Sequence, residues 1–185
     1  MNEIQVKIYS ASQERLLRKF SAEQSELLAR FMVAQAAHET GNFTSDAFKR
    51  NNNTAGYKPF PSSIWQVYPS PAGANKTYAY FSSIENSCYE VADWLGRRET
   101  AFSKVKTVAD FAAALRSNNY YTDTVGNYTS GLSFYFSSLF KEAGAGVGAL
   151  FSGQDKKIDL LPILATTIIT FVASYFLRQL FKKRK

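Results

Sequence analysis

One carboxyl in this 185-residue chain stands where a carboxyl is electrostatically costly. Glu39 closes the run Ala34-Gln35-Ala36-Ala37-His38-Glu39 just before Thr40-Gly41, and Leu28, Met32, Gln35 and Glu39 recur at helical spacing. A helix over residues 21–39 that ends before Gly41 puts Glu39 at its carboxy-terminal end, where the helix dipole disfavours negative charge and raises the carboxyl pKa. A carboxyl that keeps its proton near neutral pH is suited to general-acid work; the plainer reading is an exposed helix-end glutamate. Other chemistries have little to build on. The single cysteine, Cys88, excludes an internal disulfide framework and a thiolate zinc cluster. With His38 as the one histidine, a His-rich metal site is excluded and a serine-protease-type triad would hang on that ring. His38 points about 100° around the helix from Glu39 and reads as a neutral surface or core residue, while Cys88 reads as a small core residue. No metal and no cofactor is expected.

The elements that must position Glu39 read as a mostly helical domain with one short sheet. Ser82 and Glu85 make a capping-box pattern ahead of Ile84, Cys88, Val91 and Leu95. Thr107 opens a helix carrying Val108, Phe111, Ala112 and Leu115, and Asn127 is the expected N-cap of a last helix with Tyr128, Leu132, Tyr135, Phe136 and Leu139 on its apolar side. Between the helix that ends at Glu39 and the one after Ser82, Ile64–Tyr68 (IWQVY) and Thr77–Phe81 (TYAYF) flank a Pro/Gly/Asn-rich turn, which predicts a β-hairpin. Residues 1–20 read as an additional charged helix with no site in it.

These segments also carry a resemblance. The run AQAAHETG, followed by Asn52-Asn53-Thr54-Ala55-Gly56-Tyr57-Lys58, resembles the A-Q-A-x-x-E-[ST]-G … N-N-x-x-G-x-K signature of the bacterial and phage glucosaminidases, the flagellar-muramidase-like branch of the lysozyme-like superfamily. Tyr80–Ser87 (YFSSIENS) and Asn119–Asp123 (NYYTD, similar to the family's G-Y-A-T-D) match in the same order, so the resemblance covers about residues 25–140. It implies a mainly α (α+β), lysozyme-like helical domain with a small β-hairpin lobe. It further implies that Glu39 protonates the glycosidic oxygen between aminosugars of peptidoglycan, and that Tyr120 helps to position water or substrate, with Tyr121 as its neighbour in the site. Asn53 and Gly56 would shape the cleft floor, and Tyr57, Trp65 and Tyr68 would stack on sugar rings, against the alternative of hairpin packing. One departure matters. From Ala47 to Ile84 the chain has no Asp or Glu, so a two-carboxylate scheme lacks an obvious partner for Glu39. Four outcomes stand open: Asp46 or Asp123 as second carboxylate, the substrate's N-acetyl group as nucleophile, an anhydro product as in lytic transglycosylases, or an inactive wall-binding or structural domain.

Charge and hydropathy divide the chain. The net charge is +7, with five of the cations (Arg178, Lys182, Lys183, Arg184, Lys185) beyond Ile158. The remaining basic residues are scattered and form no stripe for sequence-specific nucleic-acid binding. Residues 160–177, LLPILATTIITFVASYFL, carry no charge and, extended to Phe181, are long enough to cross a bilayer. The expected organisation is an N-terminal extension (1–24), the glucosaminidase-like domain (25–141), a Gly-rich linker (142–157), a transmembrane helix (158–181) and a basic tail (182–185). The positive-inside rule puts the tail on the inner side. MNEIQVKIYSAS at the start has no apolar run of the kind a secretory leader carries. The reading that accommodates both is a single-pass protein of a virion membrane, preferred to a bacterial inner membrane, with peptidoglycan strands, the lipid bilayer and virion or envelope proteins as its partners.

Overall fold

The computed structural model describes residues 1–140. They form α1 (Glu3–Leu16), α2 (Ala22–Glu39), α3 (Asp46–Asn51), β1 (Gln66–Val67), β2 (Tyr80–Phe81), α4 (Ile84–Gly96), α5 (Glu99–Phe102), α6 (Val108–Ser117) and α7 (Val125–Leu139). The expected spanning helix at 158–181, the linker and the basic tail lie outside the described residues. Among the described residues, no helix is long and apolar enough to cross a membrane.

The spacing of Leu28, Met32 and Gln35 predicts one buried face on α2, but the second half of the helix is buried all round. Every residue from Phe31 to Ala37 is buried, because α2 packs against α1 on one side and α7 on another, with apolar clusters on both flanks. Small residues make this close approach feasible: Ala29, Ala34, Ala36 and Ala37 leave room for neighbouring backbones. α1 is no loose appendage. Its Ile8, Ala11 and Leu16 are buried, and it packs against both α2 and α4. Arg15 extends from it to hold Asp93 of α4 through two hydrogen bonds of 2.6 and 2.8 Å.

Local capping chemistry sets the helix starts. Ser21, Ser45, Ser83, Thr107 and Thr124 each accept a hydrogen bond from a backbone N–H in the first turn, and Thr107 with Asp110 completes a capping box. Two expected caps are corrected. α4 starts from Ser83, not Ser82: Ser83 Oγ accepts from Asn86 N, while Ser82 Oγ accepts from the Asn86 side chain and Glu85 turns to Lys7 at 3.7 Å. α7 starts from Thr124, and Asn127 lies inside its first turn, donating its amide N–H to Thr124 Oγ1.

The hairpin is shorter than the aromatic-rich runs predict. Only Gln66–Val67 and Tyr80–Phe81 pair, antiparallel, with Gln66 opposite Phe81 and Val67 opposite Tyr80. Pro59, Pro61, Pro69 and Pro71 crowd this lobe, and each lacks the N–H that a ladder needs. Side-chain amides do the holding instead. Buried Asn51 donates to Asn75 O (2.8 Å) and Tyr78 O (3.0 Å) and accepts from Asn75 N (2.8 Å). Asn52, left-handed at φ 52°, donates to Phe81 O at 2.9 Å. Asn53 donates to Tyr57 O and Ala79 O and accepts from Ala55 N and Tyr57 N. Thr54 N then donates to Ser87 Oγ of α4 at 3.0 Å.

α2 and α7 meet at a glycine. A Cβ built on Gly131 would fall 2.6 Å from His38 Nδ1, and the His38 ring is held edge-on to Tyr128 at 5.0 Å and against Tyr135 at 6.2 Å. An alanine in a helix normally stabilises by about 1 kcal/mol over glycine. Here Gly131→Ala should instead destabilise by ~1–3 kcal/mol, since overpacking forces the helices apart. In a double-mutant cycle followed by chemical denaturation, His38→Ala should relieve most of that cost; additive losses would show that the two residues do not oppose each other.

Candidate active site

Glu39 ends α2, and the chain beyond it turns by an unusual route. Gly41, Asn42 and Phe43 all have positive φ (55°, 55° and 66°). Buried Thr40 makes this turn stable: its hydroxyl donates to Ala36 O at 2.5 Å and accepts from Phe43 N at 2.9 Å. Phe43 is buried against Phe48, which anchors a conformation that non-glycine residues seldom adopt. The threonine after the glutamate is therefore a helix-end clamp, and it leaves the Glu39 side chain directed into the space between loop 51–57 and α7.

Two elements enclose that carboxyl. Tyr128 of α7 donates its phenolic hydrogen to Glu39 Oε1 at 2.6 Å. On the other side Gly56 approaches so closely that a Cβ on it would lie 3.7 Å from Glu39 Oε2, and its φ of 64° is one that a side chain would strain. Burial pushes the Glu39 carboxyl above the usual carboxylate range; the hydrogen bond from Tyr128 and the neighbouring His38 oppose this without cancelling it. Among the described residues, no other acidic side chain acts on it. Burial and the adjacent Glu39 hold Tyr128 neutral far into alkaline pH, so it remains a hydrogen-bond donor.

Sequence reasoning placed Tyr128 among apolar core positions and missed this contact, because it shares the helical spacing of Leu132 and Phe136. The one available signal is its hydroxyl, since a buried tyrosine needs a partner. Tyr121 supports it from behind, with the two rings stacked at 3.8 Å and 11° and Tyr121 Oη donating to Ala112 O at 2.9 Å. Gln35, one turn before Glu39, has a buried Nε2 with no acceptor of hydrogen-bond geometry, although its amide is close enough to ease ionisation of Tyr128.

The other expected site residues divide into two groups. Tyr120 is brought in: Glu39 and Tyr57 both act on its ionisation, its ring meets Tyr57 at 6.0 Å and Trp94 at 5.2 Å, and its hydroxyl reaches Ala55 O at a long 3.5 Å. Tyr57 Oη is buried near Tyr120 without forming a hydrogen bond of acceptable geometry. Asn53 is fully buried and has its amide consumed by loop 51–57, so it shapes the loop that carries Gly56 and presents nothing to a ligand. Trp65 is committed elsewhere, its indole N–H donating to Asp93 Oδ2 at 2.8 Å and its ring covered by Arg15 and Tyr89. Tyr68 is 62% exposed on the hairpin. Of the aromatics expected to stack on sugars, Tyr57 alone adjoins the Glu39 site. Neither Asp46 nor Asp123 turns toward Glu39: Asp46 pairs with Arg50 at 3.4 Å, and Asp123 accepts from Thr124 N and the Asn127 amide at the start of α7.

The comparison with known families bears on this arrangement. The model of the glucosaminidase family, described as mannosyl-glycoprotein endo-beta-N-acetylglucosaminidase, matches residues 18–138. The chain belongs to this family. No curated protein and no solved structure matches it. The match makes this glucosaminidase a glycoside hydrolase acting on peptidoglycan. It spans the elements that enclose Glu39 and begins after α1 has ended. Among the described residues, no cluster of three or more His, Cys, Asp or Glu has metal-binding geometry. The Cys88 thiol, pushed up to about 12 by burial, belongs to the core.

Two outcomes follow for this glucosaminidase. A carboxyl with a raised folded-state pKa binds more protons folded than unfolded, so stability falls as pH rises through the window above the ordinary carboxylate value. Glu39→Gln should abolish that fall and raise Tm at pH 7 by ~2–5 °C, with little change at pH 4, in thermal melts followed by circular dichroism. Tyr128→Phe removes a bond that favours the ionised carboxylate, so the alkaline limb of kcat/KM should move to higher pH. An unmoved limb would mean that Glu39 does not set it.

Proposed function

We propose that Glu39 is the general acid of a peptidoglycan-cleaving glycosidase. The observation that carries this is a half-buried carboxyl at the end of α2, raised in pKa by partial burial and hydrogen-bonded by Tyr128. At neutral pH such a group holds its proton more readily than an ordinary glutamate, and it can deliver that proton to the glycosidic oxygen as the bond to C1 breaks. Tyr128 fixes the carboxyl through Oε1, leaving the Oε2 side, toward Gly56, for the transfer. Tyr120 and Tyr57 form the adjacent aromatic wall that positions the sugar.

The second half of the reaction runs without a second carboxylate. Among the described residues no acidic side chain raises or lowers the pKa of the Glu39 carboxyl, and residues 47–84 contain none. The developing positive charge at C1 is met from within the substrate, by the carbonyl oxygen of the 2-acetamido group or by the sugar's own 6-hydroxyl. Glu39, now ionised, takes a proton back from the attacking water in the first case, which gives a hydrolysed product. In the second it takes the 6-hydroxyl proton, which gives a 1,6-anhydro product.

Residues 158–181 would tether this activity to a bilayer with the basic tail on the inner side, in a virion membrane during entry or exit; the support is the charge-free run and the flanking cations of the sequence. Protease treatment of intact particles or sealed vesicles should cut the enzyme domain and spare the tail, and the reverse pattern would overturn the orientation.

Glu39→Gln should lower the rate of muropeptide release by ~10²–10⁴-fold while leaving the protein folded. Mass spectrometry of the products separates the two second steps, saturated reducing ends marking hydrolysis and anhydro ends intramolecular attack. Wall clearing that survives the substitution would refute the assignment.

A further inference from the structure

A concavity lies between the hairpin lobe and α4. It measures about 560 Å³ and is walled by Tyr57, Lys58, Trp65, Trp94, Arg97 and Arg98 among others, without including Glu39. That volume lies within the ~300–1,000 Å³ range of small-ligand sites.

Its charges are arranged asymmetrically. The two carboxylates in the wall are both engaged by neighbouring side chains. Glu90 accepts from Ser63 Oγ and pairs with Arg97 at 3.6 Å. Asp93 is held by Arg15 and Trp65, whose hydrogen bonds outweigh the effect of burial and keep its carboxyl below the usual range. The cations are not matched in the same way. Arg98 lies over the Trp94 ring at 3.9 Å and donates to Trp94 O at 3.1 Å, and Lys58 Nζ sits over the Tyr78 ring at 4.1 Å. Among the described residues, neither is in an ion pair. Burial and the neighbouring Arg97 charge ease deprotonation of Arg98, as expected where positive potential lacks an anion.

We propose that this cavity binds the carboxylate-bearing peptide that substitutes the glycan of peptidoglycan, with Lys58 and Arg98 taking its carboxylates and the Trp94 and Tyr57 surfaces taking its alanine methyls. The inference rests on the reading of Glu39 as the cleavage site. Gly56 abuts the Glu39 carboxyl, and Tyr57, the next residue, lines the cavity. The cavity wall thus begins one residue from the Glu39 contact, and a peptide branch on a sugar held at Glu39, at ~3.3–3.6 Å per extended residue, would run along that wall. A bidentate guanidinium with an aromatic face behind it suits a carboxylate on an apolar residue. The glucosaminidase would then read peptide-bearing strands in preference to stripped ones.

The test uses the 185-residue chain carrying Glu39→Gln, titrated calorimetrically with the stem tetrapeptide released from peptidoglycan by an amidase. The same peptide with its carboxylates amidated should bind at least about tenfold more weakly, and Lys58→Gln and Arg98→Gln should each cost about tenfold, as loss of a charge-assisted hydrogen bond does. Arg18→Gln, on the exposed turn after α1, should change nothing, and near-UV circular dichroism establishes that Arg98→Gln is folded. Equal binding of the amidated peptide, undiminished binding by both cation variants, or no binding would each overturn the proposal. Tighter binding of a glycerol-phosphate polymer than of the peptide would overturn it in favour of an anionic wall polymer. The unsubstituted chain should cleave peptide-bearing strands with a lower KM than amidase-stripped strands. Peptide binding with no cleavage of either strand points to failure of the Glu39 reading alone, whereas equal cleavage of both with no peptide binding leaves Glu39 standing and removes this inference.

Discussion

The carboxy-terminal end of a buried helix is where the fold least favours a negative charge, and Glu39 sits there. Carbonyl dipoles converge on it, water is largely excluded, and the surrounding packing is apolar. Much of the domain is what it takes to enclose that group. The second half of α2 must be buried on every side, so α1 and α7 flank it; the chain must leave the helix without uncovering its end, so Thr40 clamps a left-handed turn; and one donor must reach the carboxyl, so Tyr128 comes across from α7. A carboxyl treated in this way has a stronger hold on its proton than one in water.

The second support is the run of three asparagines. An ordinary hairpin would tie the lobe to the helices through a ladder of backbone bonds, which the prolines of this lobe forbid. Asn51, Asn52 and Asn53 replace that ladder with side-chain amides aimed at residues 57 and 75–81. Their effect is to fix the height of Gly56 over Glu39 and to start the cavity wall at Tyr57. On the far side of that cavity, Arg15, Asp93 and Trp65 form a continuous polar link from α1 through α4 to the hairpin. The family match leaves out the whole of α1, yet this helix braces the hairpin lobe from outside it.

What could be read in the sequence was what local physics writes there. The helix over Glu39 and the Thr107 cap came from spacing and from a hydroxyl three residues before its donor, and the order of the motifs pointed to the family. The same local rule misplaced the caps of α4 and α7, because Ser82 and Ser83 in one case, and Thr124 and Asn127 in the other, are each residues able to cap a helix, and tertiary packing chooses between them. Strand lengths were overestimated because IWQVY and TYAYF have the composition of strands while the flanking prolines limit pairing. Trp65 had the composition of a sugar platform, but Arg15, 50 residues earlier, and Tyr89 occupy its ring. Tyr128 was invisible as a site residue for a similar reason: its periodicity is that of a core position, and what distinguishes it is a contact 89 residues away. Pairings over such separations leave no trace in one sequence.

That separation governs when the site comes into being. A ribosome releases α2, with its carboxyl, long before it releases Tyr128, and α1 waits for α4 before Arg15 finds Asp93, 78 residues on. Until α7 emerges, Glu39 ends a helix whose outer face is still wet and whose carboxyl behaves as any exposed glutamate does. The proton-holding environment is therefore the last thing the nascent domain acquires. A chain interrupted anywhere before α7 would carry every residue of the AQAAHETG motif without the solvent-shielded chemistry that gives the motif its meaning.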